Sequence, residues 1–153
     1  MFSFGRIGAL AVLALGICLG SVRAGEENGP LNEVPKAVID AFKAKFPKAA
    51  IKNAIREDAD GKCVYEIEST RDSLTIDAVL KPDGEFVEIE QEIKTSTLPA
   101  VVTAAVQTKH PKAKLKKAEE VTRVGKMIYE VLIETADGKE AEVAIDKDGK
   151  IID

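Results

Sequence analysis

Few side chains in this 153-residue sequence could carry out a reaction. His110 is the only histidine, so a metal site or a Ser-His-Asp triad would depend on this single imidazole. It stands directly before Pro111, which stops a helical pattern. We interpret it as a side chain of aromatic size that fills space at the end of a helix. Cys63 would need a neighbouring base to act as a nucleophile, and a thiol on the apolar face of a strand is the favoured alternative. The sequence therefore predicts no enzyme activity, no metal site and no cofactor.

Acidic side chains offer the other possible chemistry, because they alternate with apolar residues and so share one face of a predicted sheet. A divalent cation or small ligand could bind there if carboxylates converged, although no segment has the ligand spacing of a calcium loop. A solvated face is the simpler interpretation. Tyr65 and Tyr129 fall on the opposite row, where packing beneath a helix is favoured over a ligand platform. The acids are Glu66, Glu68, Asp77, Glu130, Glu134, Glu140 and Glu142.

The spacing of apolar residues predicts the helices and strands that position these residues, because it changes from a helical period to a period of two at two places in the chain. A helical stripe with Pro35 in its first turn ends at Phe46-Pro47, and a second stripe has Thr97 as its cap and Pro99 in its first turn. After each stripe the apolar period becomes two, with Asp-Gly and related turns between the runs. The predicted strands span 50–57, 62–69, 73–81, 85–91, 114–123, 126–135, 139–146 and 150–153.

The two halves of this pattern resemble each other at an offset of 64 to 65 residues. Phe46-Pro47-Lys48-Ala49 recurs as His110-Pro111-Lys112-Ala113, and Asp83-Gly84 recurs as Asp148-Gly149. We interpret this as a duplication. The predicted fold class is α+β, with two tandem repeats, each a helix packed on an antiparallel meander of up to four strands. Units of about 60 residues are small for independent stability, so the repeats should depend on each other.

A helix can cover only one side of such a meander, so the acidic face should stay uncovered. Apolar side chains share that face, as at a protein-binding surface, although they could equally pack one repeat against the other. The predicted partner-binding residues are Val64, Glu66, Ile128, Glu130 and Leu132.

Residues 1–24 have the features of a secretory signal peptide: Arg6, an apolar run of about 14 residues and a small-residue cleavage site at Ala24. The run is shorter than the roughly 20 residues of a membrane-spanning helix, so we expect no stable insertion after cleavage. Removing this segment takes away Arg6 and Arg23 and no acid, which changes the net charge from −4 to −6. An acidic protein is a poor binder of nucleic acid. We expect a periplasmic or extracellular location.

The order of Pro35, Phe46-Pro47, Gly61, Tyr65-Glu66 and Asp83-Gly84, and its recurrence, resembles the PepSY-like domains of secreted bacterial proteins, also called beta-lactamase-inhibitor-like. The resemblance implies a helix on an antiparallel sheet, duplicated, whose two sheets could form one broad curved surface, and a role in binding another secreted or envelope protein, as inhibitor or sensor of an envelope enzyme. The alternative is a carrier of a small ligand or divalent cation on the acidic face. The predicted segments are a signal peptide (1–24), a mobile leader (25–32) and PepSY-like repeats at 33–92 and 96–153.

Overall fold

The structure, a computed structural model, describes residues 33–59 and 61–152. The predicted signal peptide and leader lie outside the described residues. There are two helices, α1 (Lys36–Lys45) and α2 (Ala100–Lys109), with one 3₁₀ turn (Thr95–Thr97) before α2. The strands are β1 (Ala50–Ala59), β2 (Lys62–Arg71), β3 (Leu74–Leu80), β4 (Phe86–Ile93), β5 (Lys114–Arg123), β6 (Lys126–Glu134), β7 (Glu140–Asp146) and β8 (Ile151–Ile152).

Both helices begin after a proline and end before one. Pro35 and Pro99 occupy the N-cap positions, one residue before the predicted first turn, and each accepts a hydrogen bond on its carbonyl from the residue three further on. The predicted cap at Thr97 is wrong, because its hydroxyl donates to the carbonyl of Lys94 inside the 3₁₀ turn. At the other end, the N–H groups of Phe46 and His110 donate to the last turn, and the following prolines have no N–H to continue the helix.

All eight strands form one antiparallel sheet in the order β1 to β8. The predicted fold class of two tandem helix-plus-meander repeats is therefore wrong. β4 pairs with β5 from Glu88 opposite Arg123 to Ile93 opposite Ala118, so the sheet has no break at the predicted boundary. The physical reason is that separate units would leave β4 and β5 as two further unpaired edges, and pairing them satisfies both rows of backbone groups. The described part of the chain is mostly β, with two short α-helices.

Two hydrophobic clusters form where the helices pack on the same face of this sheet, which we call the covered face. Val38 and Phe42 of α1 are fully buried in the N-terminal cluster, and Val102 and Val106 of α2 in the C-terminal cluster. β4 serves both, since its Ile89 belongs to the first cluster and its Ile93 packs against the second. The clusters thus share a strand, which favours folding as one unit.

The covered face is polar where neither helix reaches. A cleft opens over β4 and β5, and its lining includes Gln91, Glu120 and Thr122, which occupy covered-face positions in the strand register. Arg71 and Lys45 line its sides. Sheet positions without a helix above them can therefore keep polar side chains in water.

Two glycines allow tight turns to lie against the helices. Gly84, between β3 and β4, has a φ of +89°, and a Cβ there would lie 2.7 Å from the carbonyl oxygen of Ala37 in α1. Gly149, between β7 and β8, has a φ of +85° and approaches Val101 of α2 in the same way. Glycine is needed at both places for its left-handed backbone and its lack of a side chain. The recurring Asp-Gly pairs therefore set the distance between turn and helix.

Neither helix in the described part of the chain is long and apolar enough to cross a membrane.

Candidate partner-binding face

Strand side chains that point away from both helices form the open face. Their positions alternate with those of the clustered residues, such as Ile67 on β2 and Val131 on β6, and the strand register extends the alternation across the sheet. The open face includes Ile55 and Glu57 (β1), Lys62, Val64, Glu66 and Glu68 (β2), Asp77 and Val79 (β3), Glu88, Glu90 and Glu92 (β4), Lys117, Glu119, Val121 and Arg123 (β5), Lys126, Ile128, Glu130 and Leu132 (β6), and Glu142 and Ala144 (β7).

Antiparallel register aligns these side chains in rows that cross the strands. In the central row, Glu68 lies opposite Asp77, Asp77 opposite Glu90, Glu90 opposite Val121, and Val121 opposite Ile128. Directly opposite residues have Cβ atoms about 5 Å apart. Three carboxylates from three neighbouring strands therefore stand side by side, followed by two apolar side chains.

Several members of the open face are buried although no helix of the described chain covers them. Val121 is 0% exposed, Ile55 is 8% exposed and Glu130 is 7% exposed. Long acidic and basic side chains on the adjacent strands shield them from water, since charged side chains cover apolar surface with their stems. The centre of the face is thus partly dry, which strengthens the interactions among its charges.

Arg123 is the cation at the centre of the open face. Its Nη2 donates to Oε1 of Glu90 at 3.3 Å, and its Nη1 donates to Oε1 of Glu130 at 3.4 Å. Its Nε lies 2.8 Å from Oε2 of Glu88 as an ion pair rather than an aligned hydrogen bond. One guanidinium therefore connects carboxylates on β4 and β6 across β5.

Two of these carboxyl groups hold their protons to unusually high pH. Burial raises the pKa of Glu90 to about 8, with further contributions from a hydrogen bond to Glu88 and from the charges of Glu88, Glu119 and Glu130. Burial also raises the pKa of Glu130 to about 7, and the attraction of Arg123 only partly offsets it. Lys117 adds a second cation, with its Nζ 2.7 Å from Oε1 of Glu119, and the acids gathered here still outnumber the two cations.

A shallow depression lies beside this network on β1 to β4. Five acidic residues and Val79 line it. Glu88 and Glu90 belong both to this depression and to the network around Arg123. The other acids in its lining are Glu57, Glu66 and Asp77.

The five residues predicted to bind a partner all lie on the open face, but in two separate groups. Val64 and Glu66 lie on β2, whereas Ile128, Glu130 and Leu132 lie on β6. Three strands separate the groups, so they are about 19 Å apart at the usual strand spacing. Glu130 is more buried than a solvated face predicts. Whether these residues contact a partner stays a prediction.

Arg123, Glu88 and Glu90 connect the two groups, and the sequence reasoning missed all three. Arg123 is the last residue of the predicted strand 114–123, and Val124-Gly125 after it has the composition of a turn. The expected boundary after residue 92 prevented β4 from being paired with β5. One signal was available: continuing the alternation across a β4–β5 pair places a single arginine among glutamates.

The residues weighed for chemistry lie apart from the open face. His110 is the half-buried residue that ends α2, as its alignment with Phe46 predicts. Cys63 accepts a hydrogen bond on Sγ from Nε of Arg56 at 3.2 Å, and an arginine cannot act as its base. The core placement predicted for Tyr129 is confirmed, and Tyr65 packs against the N-terminal cluster.

Among residues 33–59 and 61–152, no group of three or more histidine, cysteine or acidic side chains is arranged to hold a metal ion. Glu88, Glu90 and Glu130 converge on the guanidinium of Arg123, and the other acids of the open face are spread along the rows.

Comparison with protein families gives a match that includes both strands of the β4–β5 pair. The family described as "Putative beta-lactamase-inhibitor-like, PepSY-like" matches residues 72–153, more than half of the chain. This chain belongs to the PepSY-like family. The family described as "Peptidase propeptide and YPEB domain" matches residues 35–92, which contain α1 and β1 to β4. A comparison with curated protein sequences finds no match.

Solved structures share the fold of this PepSY-like chain at low sequence identity. A structure described as a "putative periplasmic" protein of Bacteroides eggerthii is 17% identical, with a TM-score of 0.64 over 78% of this chain and 86% of that one. A DUF2874 family protein of Bacteroides uniformis is 15% identical, with a TM-score of 0.63 over the same shares of the two chains. A BLIP-like protein of Bacteroides fragilis is 19% identical, with a TM-score of 0.61 over 78% and 84%.

Proposed function

We propose that this PepSY-like protein is a non-catalytic module that binds another protein through the open face of its sheet. The observation that carries the proposal is the combination of partly exposed apolar side chains and charged side chains on a face that no helix of the described residues covers. Val121 and Glu130 are almost fully buried there, and half-buried Ile128 and Leu132 lie beside them. Apolar contact area surrounded by oriented charge is typical of protein interfaces.

The proposal includes export to the periplasm or the cell exterior. The signal-like segment at residues 1–24 supports it. The description of the Bacteroides eggerthii structure as periplasmic supports the same compartment for a protein of this fold.

As a finer role, we propose that the module restrains or senses an envelope enzyme. Two observations support this role. Residues 35–92 match the family described as "Peptidase propeptide and YPEB domain", and a protein of similar fold is described as BLIP-like. Neither description names a partner for this chain. The proposed mechanism needs only surface complementarity, because the module would occupy its partner without changing it chemically.

Photo-crosslinking from the full-length protein tests the proposal. A photoreactive phenylalanine analogue replaces Ile128 on the open face, and in a second variant it replaces Val101, which is 49% exposed on α2. Both variants are illuminated in cells that make the protein natively. We expect Ile128 to yield a discrete crosslinked protein and Val101 to yield none. Equal crosslinking from both positions, or crosslinking from Val101 alone, would contradict the assignment of the face.

A further inference from the structure

We propose that the partner presents a basic segment to the open face, with arginine or lysine side chains over the acids of β2 to β4 and an apolar side chain over β6. This inference rests on the proposed function and specifies its partner. Charge complementarity between the acidic open face and the segment that would cover it supports a basic partner.

Charge is distributed unevenly between the two sides of the molecule. Of the charged side chains exposed on α1, on α2 and on the residues that follow each helix, six are lysines and one is Asp40, whereas the open face is largely acidic. A basic segment is therefore attracted to one side of the sheet and repelled by the other. The exposed lysines on the helix side are Lys36, Lys43, Lys45, Lys48, Lys109 and Lys112.

Arg123 shows how this face holds a cation. Its guanidinium contacts Glu88, Glu90 and Glu130 at 2.8 to 3.4 Å while its stem lies on the sheet. The depression on the other side of Glu88 and Glu90 is also lined by carboxylates. Val79 is the apolar residue in its lining. A side chain that carries a cation on an apolar stem fits both parts of this lining.

The raised pKa of Glu90 also indicates a basic partner. Glu90 retains its proton to about pH 8 because it is buried among like charges. The groups that face it are Asp77 on β3, Glu88 on β4, Glu119 and Arg123 on β5, and Glu130 on β6. A cation over β2 to β4, in addition to Arg123 and Lys117, would favour the ionised form, so binding of a basic segment would release a proton from Glu90 near neutral pH.

The apolar end of the face fixes the orientation of the segment. Leu132 and Ile128 lie on β6, about two strands from the depression. An apolar residue of the partner would contact them while its basic residues reach β2 to β4. The sheet thereby distinguishes an amphipathic basic segment from one that is merely charged.

Binding of a deca-arginine peptide to the full chain measures the electrostatic part directly. The double variant Glu66→Gln/Asp77→Asn removes two charges from the open face, and the control Glu33→Gln/Asp40→Asn removes two exposed charges near and on α1. Both have the same net charge. We expect the open-face variant to weaken the peptide at least about tenfold and the control less than about twofold. Thermal melts establish that both variants fold.

Equal weakening by the two variants would overturn the inference, because attraction would then depend on net charge alone. Amide chemical shifts give an independent readout: the largest changes should fall on β2 to β5, and changes centred on α1 or α2 would overturn it too. If Ile128 crosslinks a partner while the open-face variant binds the peptide normally, the proposed function stands and the basic segment is wrong.

Discussion

On the covered face, Ile67 and Val131 lose all exposure to water beneath helices, whereas on the open face Val121 is just as buried without a helix above it. The covered face excludes water with apolar groups that need no partner. Around Val121, charged side chains exclude water, and every charge there must be compensated. We therefore expect the two faces to respond differently to mutation: changes on the covered face should alter mainly stability, and changes on the open face should alter pH dependence and the proposed binding.

The largest expected effect is on the covered face. Phe42 is fully buried and its ring lies 5.2 Å from that of Phe46. Phe42→Ala should lower the free energy of unfolding by about 3 to 5 kcal/mol. Because β4 serves both clusters, urea denaturation followed by circular dichroism should still show one transition. A second transition that the substitution leaves unmoved would mean that the C-terminal cluster folds alone.

The next effect concerns the charge balance of the open face. Arg123→Met keeps much of the side-chain volume but leaves Glu88, Glu90 and Glu130 without their shared cation. We expect a loss of about 2 to 3 kcal/mol at pH 7, less than for a fully buried pair because Arg123 is partly exposed. The loss should be larger near pH 9, where Glu90 and Glu130 are ionised, than near pH 5, where both are protonated. A loss that is equal at both pH values would show that Arg123 acts by packing.

A smaller effect is expected from pH in the unchanged protein. Glu90 and Glu130 have folded pKa values of about 8 and about 7, above the unfolded value of 4.5, so the folded state binds more protons between these limits. The free energy of unfolding should therefore fall as pH rises from about 5 to 8, by on the order of 2 kcal/mol after allowance for solvent screening. Glu90→Gln should flatten this dependence, while Glu85→Gln in an exposed turn should not. Stability that rises over this range would contradict the burial assigned to these groups.

Local sequence signals predicted the elements of the fold but not their assembly. The prolines, the Asp-Gly pairs and the period of two placed both helices and all eight strands within a few residues. Those signals are local, whereas the β4–β5 pairing depends on the free energy of unpaired edges, which no residue of either strand encodes. Without the β4–β5 pairing, part of the candidate site could not be predicted either. Glu66 and Glu130 were visible as alternating acids, but Arg123 becomes their neighbour only after β5 is placed beside β4.

The smallest effect on stability should accompany the largest effect on binding. Ile128→Lys adds a cation to a half-buried position of the open face, and we expect it to change the free energy of unfolding by less than about 1 kcal/mol. Val101→Lys makes the same change at an exposed position of α2 and serves as the matched control.

The most direct test is the affinity of these two lysine variants for the protein that crosslinks to position 128. We expect Ile128→Lys to weaken binding by at least about tenfold and Val101→Lys to bind as the unchanged protein does. If Val101→Lys loses binding and Ile128→Lys retains it, the helix side is the interface and the open face is not.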